Sequence, residues 1–292
     1  MSTGMRAAAW TVVIPVKSLT GAKTRLAPEL SPAERASLAR AFALDTVDAA
    51  RAAQAVARVV VVSDEPAIAA ALGGVPGVDV VPESAPRGLT AAIAQGIAVA
   101  RADAASDASA AAGPGGSAGP SRPARTVERE RRPPAATVRG TAVLLGDLPA
   151  LRPEHLDAAL EGAARHPRAF VPDAEGTGTT LATASPGVAF VPHFGRDSAA
   201  RHRAAGYADL TVRAAAGPGS VAAALRRDVD TAAELAEAVA LGVGARTAEV
   251  VGALDGPHPV RSGRAPWHPL DPSTAPAGAA TAPHGADRKA VS

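Results

Sequence analysis

Short apolar runs alternate with longer helical patterns along this chain, which is typical of an α/β protein. Runs rich in β-branched residues predict buried strands at 10–14, 58–62, 78–81 and 141–145. Helices are predicted between and after them, at 31–53, 66–72, about 91–101 and 153–165. Alternation of this kind indicates an α/β fold with a mainly parallel sheet.

The pattern continues less regularly in the second half of the chain. Further strands are predicted at 170–171, 179–183, 189–191 and 208–212. Two more helices are predicted at 197–206 and 230–241, and Gly242 ends the second of them.

Two segments interrupt this alternation. Residues 103–139 are dominated by Ala, Gly, Ser and Pro, and the chain beyond about residue 255 is rich in Pro, Ala, Gly and His. Neither segment can bury enough apolar surface to offset the entropy of ordering. The sequence therefore predicts one domain at 8–251, interrupted by a disordered insertion at 103–139 and followed by a disordered tail at 255–292.

Composition excludes several kinds of chemistry. The 292 residues include no cysteine, which excludes disulfides, cysteine-ligated zinc and thiol catalysis. The formal net charge of +2 is too small to indicate bulk binding of nucleic acid. No run approaches the ~20 apolar residues of a membrane span, so we expect a cytoplasmic protein. The histidines show no metal-ligand pattern and no convincing arrangement for nucleophilic catalysis.

The loop after the first predicted strand carries the clearest chemical signal. Gly21, Lys23 and Arg25 follow that strand closely, behind Pro15 and Lys17. Glycine lets the backbone approach a ligand, and amide groups with cations supply the positive potential that a polyphosphate requires. The spacing differs from a P-loop, which needs glycine directly before the lysine. The alternative is an ordinary basic surface turn.

Three aspartates are candidate ligands for Mg²⁺. Asp147 follows the predicted strand at 141–145, at the edge of a parallel sheet where ligands bind. Asp228 and Asp230 point to one side if their segment is extended. Mg²⁺ often uses one or two carboxylates together with substrate phosphates. Helix capping is the alternative role, and we expect one of Asp228 and Asp230 to bind metal and the other to cap.

A third group of residues is suited to a small anion. The loop at 175–180 is built from glycines and small hydroxyl residues, and the segment at 194–198 places Ser198 and backbone amides at a helix start. Together they could hold a phosphorylated or carboxylated acceptor. Two turns with helix capping are the alternative.

In their order along the chain, these motifs resemble the guanylyltransferases of coenzyme F(420) biosynthesis. The resemblance rests on residues 15–26, Gly88-Leu89, 146–149, 176–180, 194–198 and 228–231. That family joins GTP to 2-phospho-L-lactate or phosphoenolpyruvate and releases pyrophosphate. Thr90, where the family often has Asn, and the insertion at 103–139 depart from its pattern.

The resemblance implies a nucleotide-diphospho-sugar-transferase-like three-layer α/β sandwich with a mainly parallel, mixed sheet. It implies Mg²⁺ at Asp147 and at Asp228 or Asp230, and acceptor contacts from Thr180, Gly195 and Ser198. The expected catalytic residues are Lys23, Arg25 and Asp147. The expected nucleotide contacts are Pro15, Lys17, Gly21, Lys23, Arg25 and Gly88. Expected partners are GTP and a three-carbon phosphoacid, with a homodimer as an option and no nucleic acid or membrane.

Elementary chemistry agrees with this interpretation. The acceptor's phosphate is already an anion, so its attack on the α-phosphorus of GTP needs no general base, only positioning and neutralisation of charge. The motifs do not distinguish phosphoenolpyruvate from 2-phospho-L-lactate. Two alternatives stay open: a nucleotidyltransferase with another base or acceptor, such as a molybdenum-cofactor cytidylyltransferase, and a non-catalytic nucleotide-binding paralogue.

Overall fold

A seven-stranded mixed sheet forms the centre of the computed structural model, which describes residues 10–19, 21–111, 140–212 and 221–255. The strands are β1 (Trp10–Pro15), β2 (Val56–Val62), β3 (Val78–Val81), β4 (Gly140–Leu144), β5 (Arg168–Pro172), β6 (Thr179–Ala184) and β7 (Ala208–Asp209). Their order across the sheet is β3-β2-β1-β4-β6-β5-β7. All neighbours pair in parallel except β6, which runs antiparallel to both β4 and β5.

Helices surround this sheet. They are α1 (Pro32–Ala52), α2 (Pro66–Leu72), α3 (Leu89–Ala111), α4 (Pro153–Ala163), α5 (Ser198–Ala204), α6 (Ala223–Arg226), α7 (Ala232–Leu241) and α8 (Ala245–Asp255). None of them, within the described ranges, is both long and apolar enough to cross a bilayer.

The alternation of side chains along β1 separates two cores. Val12 and Ile14 belong to one buried cluster with Val47 of α1, whereas Val13 belongs to another with Ile97 of α3. Successive strand residues point to opposite faces of a sheet, so helices cover both sides. The predicted three-layer α/β sandwich with a mixed sheet is therefore confirmed.

A third apolar cluster joins α1, α7 and α8. Phe42 of α1 is fully buried there, beside Leu235 of α7 and Val251 and Leu254 of α8. Helix α8 was not predicted from the sequence, and it carries the folded unit to at least Asp255 rather than to residue 251. The short helix α6 was also not predicted.

Two other sequence predictions are wrong. Helix α3 continues to Ala111, so residues 103–111 are helical and not part of a disordered insertion. Alanine, which has the highest helix propensity, is the commonest residue in this segment. The rest of the predicted insertion and the predicted tail after Asp255 lie outside the described residues. Residues 189–191 form a loop instead of a strand, in which Phe190 is buried and Val191 is exposed.

Candidate active site

A cleft of ≈ 560 Å³ opens where β1 and β4 end. These strands are parallel neighbours, so their carboxyl ends meet at one edge of the sheet, where open α/β sheets bind ligands. Seven of the residues selected from the sequence line it: Pro15, Lys17, Gly21, Lys23, Asp147, Asp228 and Asp230. The other five selected residues, which are Arg25, Gly88, Thr180, Gly195 and Ser198, do not line this cleft.

The segment that carries Asp147 is held from several sides. Gly146 lies so close to the end of β1 that a Cβ atom there would be 3.3 Å from Ile14 Cγ2. The Asp147 carbonyl accepts a hydrogen bond of 3.2 Å from the Val229 amide, which ties the 228–230 segment to the end of β4. The Leu148 amide donates to the Thr46 hydroxyl of α1. These contacts bring the two acidic segments, which are distant in sequence, to one wall of the cleft.

The loop after β1 is anchored at both of its ends. The Leu19 amide donates to Glu65 Oε1 at 2.7 Å, and Leu26 is fully buried at the end of a short 3₁₀ turn. Between these anchors, Gly21 has a positive φ of 76° and Lys23 one of 52°. Positive φ is unfavourable for lysine, and such strained residues cluster at functional sites.

Lys23 forms the central ion pairs of the cleft. Its Nζ lies 2.6 Å from Asp147 Oδ2 and 2.9 Å from Asp230 Oδ1. Burial lowers the pKa of Lys23, but the attraction of the two carboxylates outweighs that effect and raises the pKa above its ordinary value. Burial raises the pKa of Asp230, whereas the nearby Lys23 ammonium outweighs this and holds that pKa below its usual value. Lys23 and Asp230 therefore stay charged at neutral pH.

Asp228 has the opposite electrostatic environment. Burial, followed by repulsion from Asp147, raises the pKa of Asp228 to about 7. Asp230 is not a helix cap, contrary to the expectation that one aspartate of the pair would cap. Thr231 is the N-cap of α7 and forms a capping box with Glu234.

The acidic wall fits a divalent cation that is shared with a ligand. Asp147 Oδ1 is buried and has no hydrogen-bond partner within the described structure, and Asp228 repels it. A cation bound between these carboxylates would remove both unfavourable effects. No group of three or more acidic or histidine side chains in the described ranges forms a complete metal site. Two carboxylates completed by phosphate oxygens are a usual arrangement for Mg²⁺.

Comparison with known proteins places this chain in a family. A family model described as "Guanylyl transferase CofC like" matches residues 10–106. A phosphoenolpyruvate guanylyltransferase of Sanguibacter keddieii is 42% identical over 272 residues, covering 83% of this chain and 84% of the relative. One of Streptomyces coelicolor is 42% identical over 245 residues, covering 84% of this chain and 97% of the relative. The chain belongs to the CofC-like guanylyltransferases.

A solved structure agrees with the fold of this guanylyltransferase. The crystal structure of a protein assigned as a nucleotide-diphospho-sugar transferase, from Desulfovibrio desulfuricans G20, matches with a TM-score of 0.50. The match has 16% sequence identity and covers 78% of this chain and 85% of that chain. At this identity the shared property is the fold.

Arg25 lies at the rim of the guanylyltransferase cleft. Its side chain is 71% exposed and NH1 is 3.6 Å from Asp230 Oδ2. Gly88 lies in a separate turn, with a positive φ of 125° and its amide donating to Glu83 Oε1, directly before Leu89, which does line the cleft. Exposure leaves the Arg25 guanidinium accessible to a phosphate group.

The residues expected to hold the acceptor lie together, but two of their side chains are engaged internally. Ser198 Oγ donates to Thr179 Oγ1 at 3.1 Å, and Thr180 Oγ1 donates to the Val171 carbonyl at 3.5 Å. Gly195 is exposed and has a positive φ of 104°. The Ala199 amide donates to the Thr177 carbonyl, so α5 and the loop before β6 are in contact. Their role in acceptor binding stays a prediction.

His202 was not selected from the sequence as a functional residue, yet it organises this region. It is fully buried, with Nε2 accepting from the His193 amide at 2.9 Å and Nδ1 lying 3.0 Å from Thr179 Oγ1. Because an amide only donates, Nε2 is unprotonated and the neutral ring donates through Nδ1. Burial, followed by the nearby His193, lowers the pKa of His202 to about 4. In the sequence, His202 is a single histidine between two arginines, and that pattern does not indicate a buried, hydrogen-bonded side chain.

Proposed function

We propose that this guanylyltransferase joins GTP to phosphoenolpyruvate and releases pyrophosphate, as a step of coenzyme F(420) biosynthesis in the cytoplasm. The product would be a guanosine diphosphate-linked three-carbon acid. The observation that carries the proposal is the cleft in which Lys23, Asp147 and Asp228 converge at the ends of β1 and β4. The names of the relatives support phosphoenolpyruvate over 2-phospho-L-lactate as the acceptor.

The triphosphate would lie against the loop after β1. Lys17 and Arg25 are exposed cations on that loop, and Gly21 exposes its backbone to the cleft. Ala39 and Ala43 of α1 and Leu89 of α3 give the same cleft apolar surface that suits a nucleoside. The triphosphate of GTP would therefore contact cations, and the uncharged nucleoside would contact apolar side chains.

Transfer needs the two anionic substrates to be brought together. An oxygen of the acceptor's phosphate attacks the α-phosphorus of GTP, the bond from that phosphorus to the bridging oxygen breaks, and the electron pair leaves with pyrophosphate. No proton moves, so the enzyme contributes alignment and charge compensation. Asp147 and Asp228 would hold Mg²⁺, which when bound neutralises negative charge on the triphosphate.

The proposal is tested with purified protein and four pairs of substrates. GTP or CTP is combined with phosphoenolpyruvate or 2-phospho-L-lactate in the presence of Mg²⁺, and the products are identified by mass. We expect GTP with phosphoenolpyruvate to give the highest kcat/KM. Preference for CTP would favour the cytidylyltransferase alternative, and absence of pyrophosphate release from every pair would favour the non-catalytic one.

A further inference from the structure

The ammonium group of Lys23 lies among the carboxylates of the cleft, where a positive charge offsets their mutual repulsion. Its Nζ contacts both Asp147 and Asp230, and its side chain is only 10% exposed. The loop anchors described above fix the backbone on both sides of it. A lysine whose only role was to contact a substrate phosphate would be expected to have an exposed side chain, as Lys17 has on the same loop.

The charges of the cluster explain this placement. Asp147, Asp228 and Asp230 would together carry three negative charges when ionised, and the ammonium of Lys23 reduces that total to two. An ammonium in contact with Asp147 also repels a divalent cation that approaches the same carboxylate. The cluster is therefore a weaker cation site than its three aspartates alone would form.

We propose that Lys23 is the resident counter-cation of the acidic cluster and prevents divalent metal from binding until nucleotide arrives. This inference rests on the Mg²⁺ site of the proposed function. The triphosphate of GTP brings additional negative charge and oxygen ligands, which allow the ammonium and the metal to be bound together. Metal thus enters with the nucleotide, and the free enzyme binds it weakly.

The test measures divalent metal binding without nucleotide. Mn²⁺ is titrated into wild-type protein and into Lys23→Met, and free Mn²⁺ is followed by electron paramagnetic resonance. Removing one positive charge a few ångströms from the metal should lower the Kd for Mn²⁺ roughly tenfold or more. The same variant should turn over GTP more slowly than wild type, because Lys23 would no longer neutralise charge in the loaded site.

A second cation on the same loop provides the matched control. Lys17→Met removes the same charge from the cleft, but Lys17 is exposed and water screens its effect on the carboxylates. Its Kd for Mn²⁺ should change much less than that of Lys23→Met. Circular dichroism and thermal unfolding check that each variant is folded, and Lys23→Gln replaces Lys23→Met if the methionine variant does not fold.

The opposite results overturn the inference. If Lys23→Met or Lys23→Gln binds Mn²⁺ no more tightly than wild type, or binds none at millimolar concentration, Lys23 does not exclude the metal. An equal gain in Lys17→Met would show a general charge effect and would also overturn it. Failure of the wild type to convert GTP and phosphoenolpyruvate would instead reject the proposed function, while the Mn²⁺ titration would still decide the role of Lys23.

Discussion

At the scale of single residues, the cleft separates two aspartates that look equivalent in the sequence. Asp230 is held by Lys23 and lies near Arg25, whereas Asp228 faces repulsion from Asp147. A carboxylate that is already paired with cations gains less from a metal than one that is repelled by its neighbour. We therefore favour Asp228 over Asp230 as the second metal ligand. Asp147 stays the first, because its Oδ1 is buried without a hydrogen-bond partner in the described structure even though its Oδ2 contacts Lys23.

The substitution Asp147→Asn tests the first of these ligands. It keeps the shape of the side chain but removes the charge, so kcat should fall by on the order of a hundredfold to a thousandfold. Thermal stability should change little, since repulsion with Asp228 is relieved while the contact with Lys23 is weakened. Steady-state assays in saturating Mg²⁺ measure the effect, and turnover close to wild type would reject Asp147 as a ligand.

The substitution Arg25→Ala tests the phosphate-binding loop. A hydrogen bond to a charged group contributes about 1.5–3 kcal/mol, so the KM for GTP should rise at least about tenfold while the KM for the acceptor changes little. Arg165→Ala is a matched control, because Arg165 is 65% exposed and also contacts one carboxylate, that of Glu161, but lies just after α4 and does not line the cleft. An unchanged KM for GTP in Arg25→Ala would make the loop an ordinary basic turn.

At the scale of elements, close packing and buried polar contacts position the site. Gly96 lets α3 lie against β1, since a Cβ atom there would be 2.2 Å from Val13 Cγ1. On the same face, His202 joins α5 to β6 through Thr179 and to the preceding loop through the His193 amide. Neither residue lines the cleft. Gly96 positions α3, whose Leu89 does line it, and His202 holds together α5 and β6, which carry the residues expected to bind the acceptor.

His202 should make the stability of the folded protein depend on pH. Its pKa is about 4 when folded and near 6.5 when unfolded, so between these values the unfolded chain binds more protons. His202 therefore contributes up to about 3 kcal/mol to the free energy of unfolding. This contribution is complete above about pH 6.5 and is lost as pH falls toward 4. After burial, the neighbouring His193 and Arg201 lower the pKa of His202 further.

Urea denaturation at pH 7.5 and 5.0 measures this dependence. The loss of unfolding free energy between the two pH values should be smaller in His202→Phe than in wild type. His166→Gln is the control, because His166 is only partly buried and should leave the dependence largely unchanged. Equal losses in wild type and His202→Phe would show that His202 does not control it.

At the scale of the whole molecule, the sequence predicted the sheet and much of the cleft but not how the groups within it pair. Periodicity and β-branched runs report burial of whole elements, so the strands β1 to β4 could be predicted. Pairing of Lys23 with Asp147 and Asp230 depends on contacts over more than 100 residues, which no local pattern contains. Helix α8 was missed because its apolar residues are buried by tertiary contacts in the cluster with α1 and α7, which no local pattern reports.

The segment between α3 and β4 gives a prediction at the same scale. Replacing residues 112–139 with a short Gly/Ser linker should leave the thermal midpoint and kcat close to wild type, since that composition cannot supply a core and the entropy of chain closure changes only slowly with length. Differential scanning fluorimetry and the GTP assay measure both quantities. An insoluble or inactive shortened protein would mean that the segment covers the core or the cleft.

The proposed reaction requires that the acceptor's own phosphate displaces pyrophosphate from the α-phosphorus of GTP. Phosphoenolpyruvate labelled with ¹⁸O at all of its phosphate oxygens, including the enol oxygen, is incubated with GTP, Mg²⁺ and wild-type protein, and the products are weighed by mass spectrometry. We expect the guanosine diphosphate-linked acid to retain every labelled oxygen and pyrophosphate to carry none. Label in pyrophosphate, or the absence of a guanosine-linked acid, would contradict it.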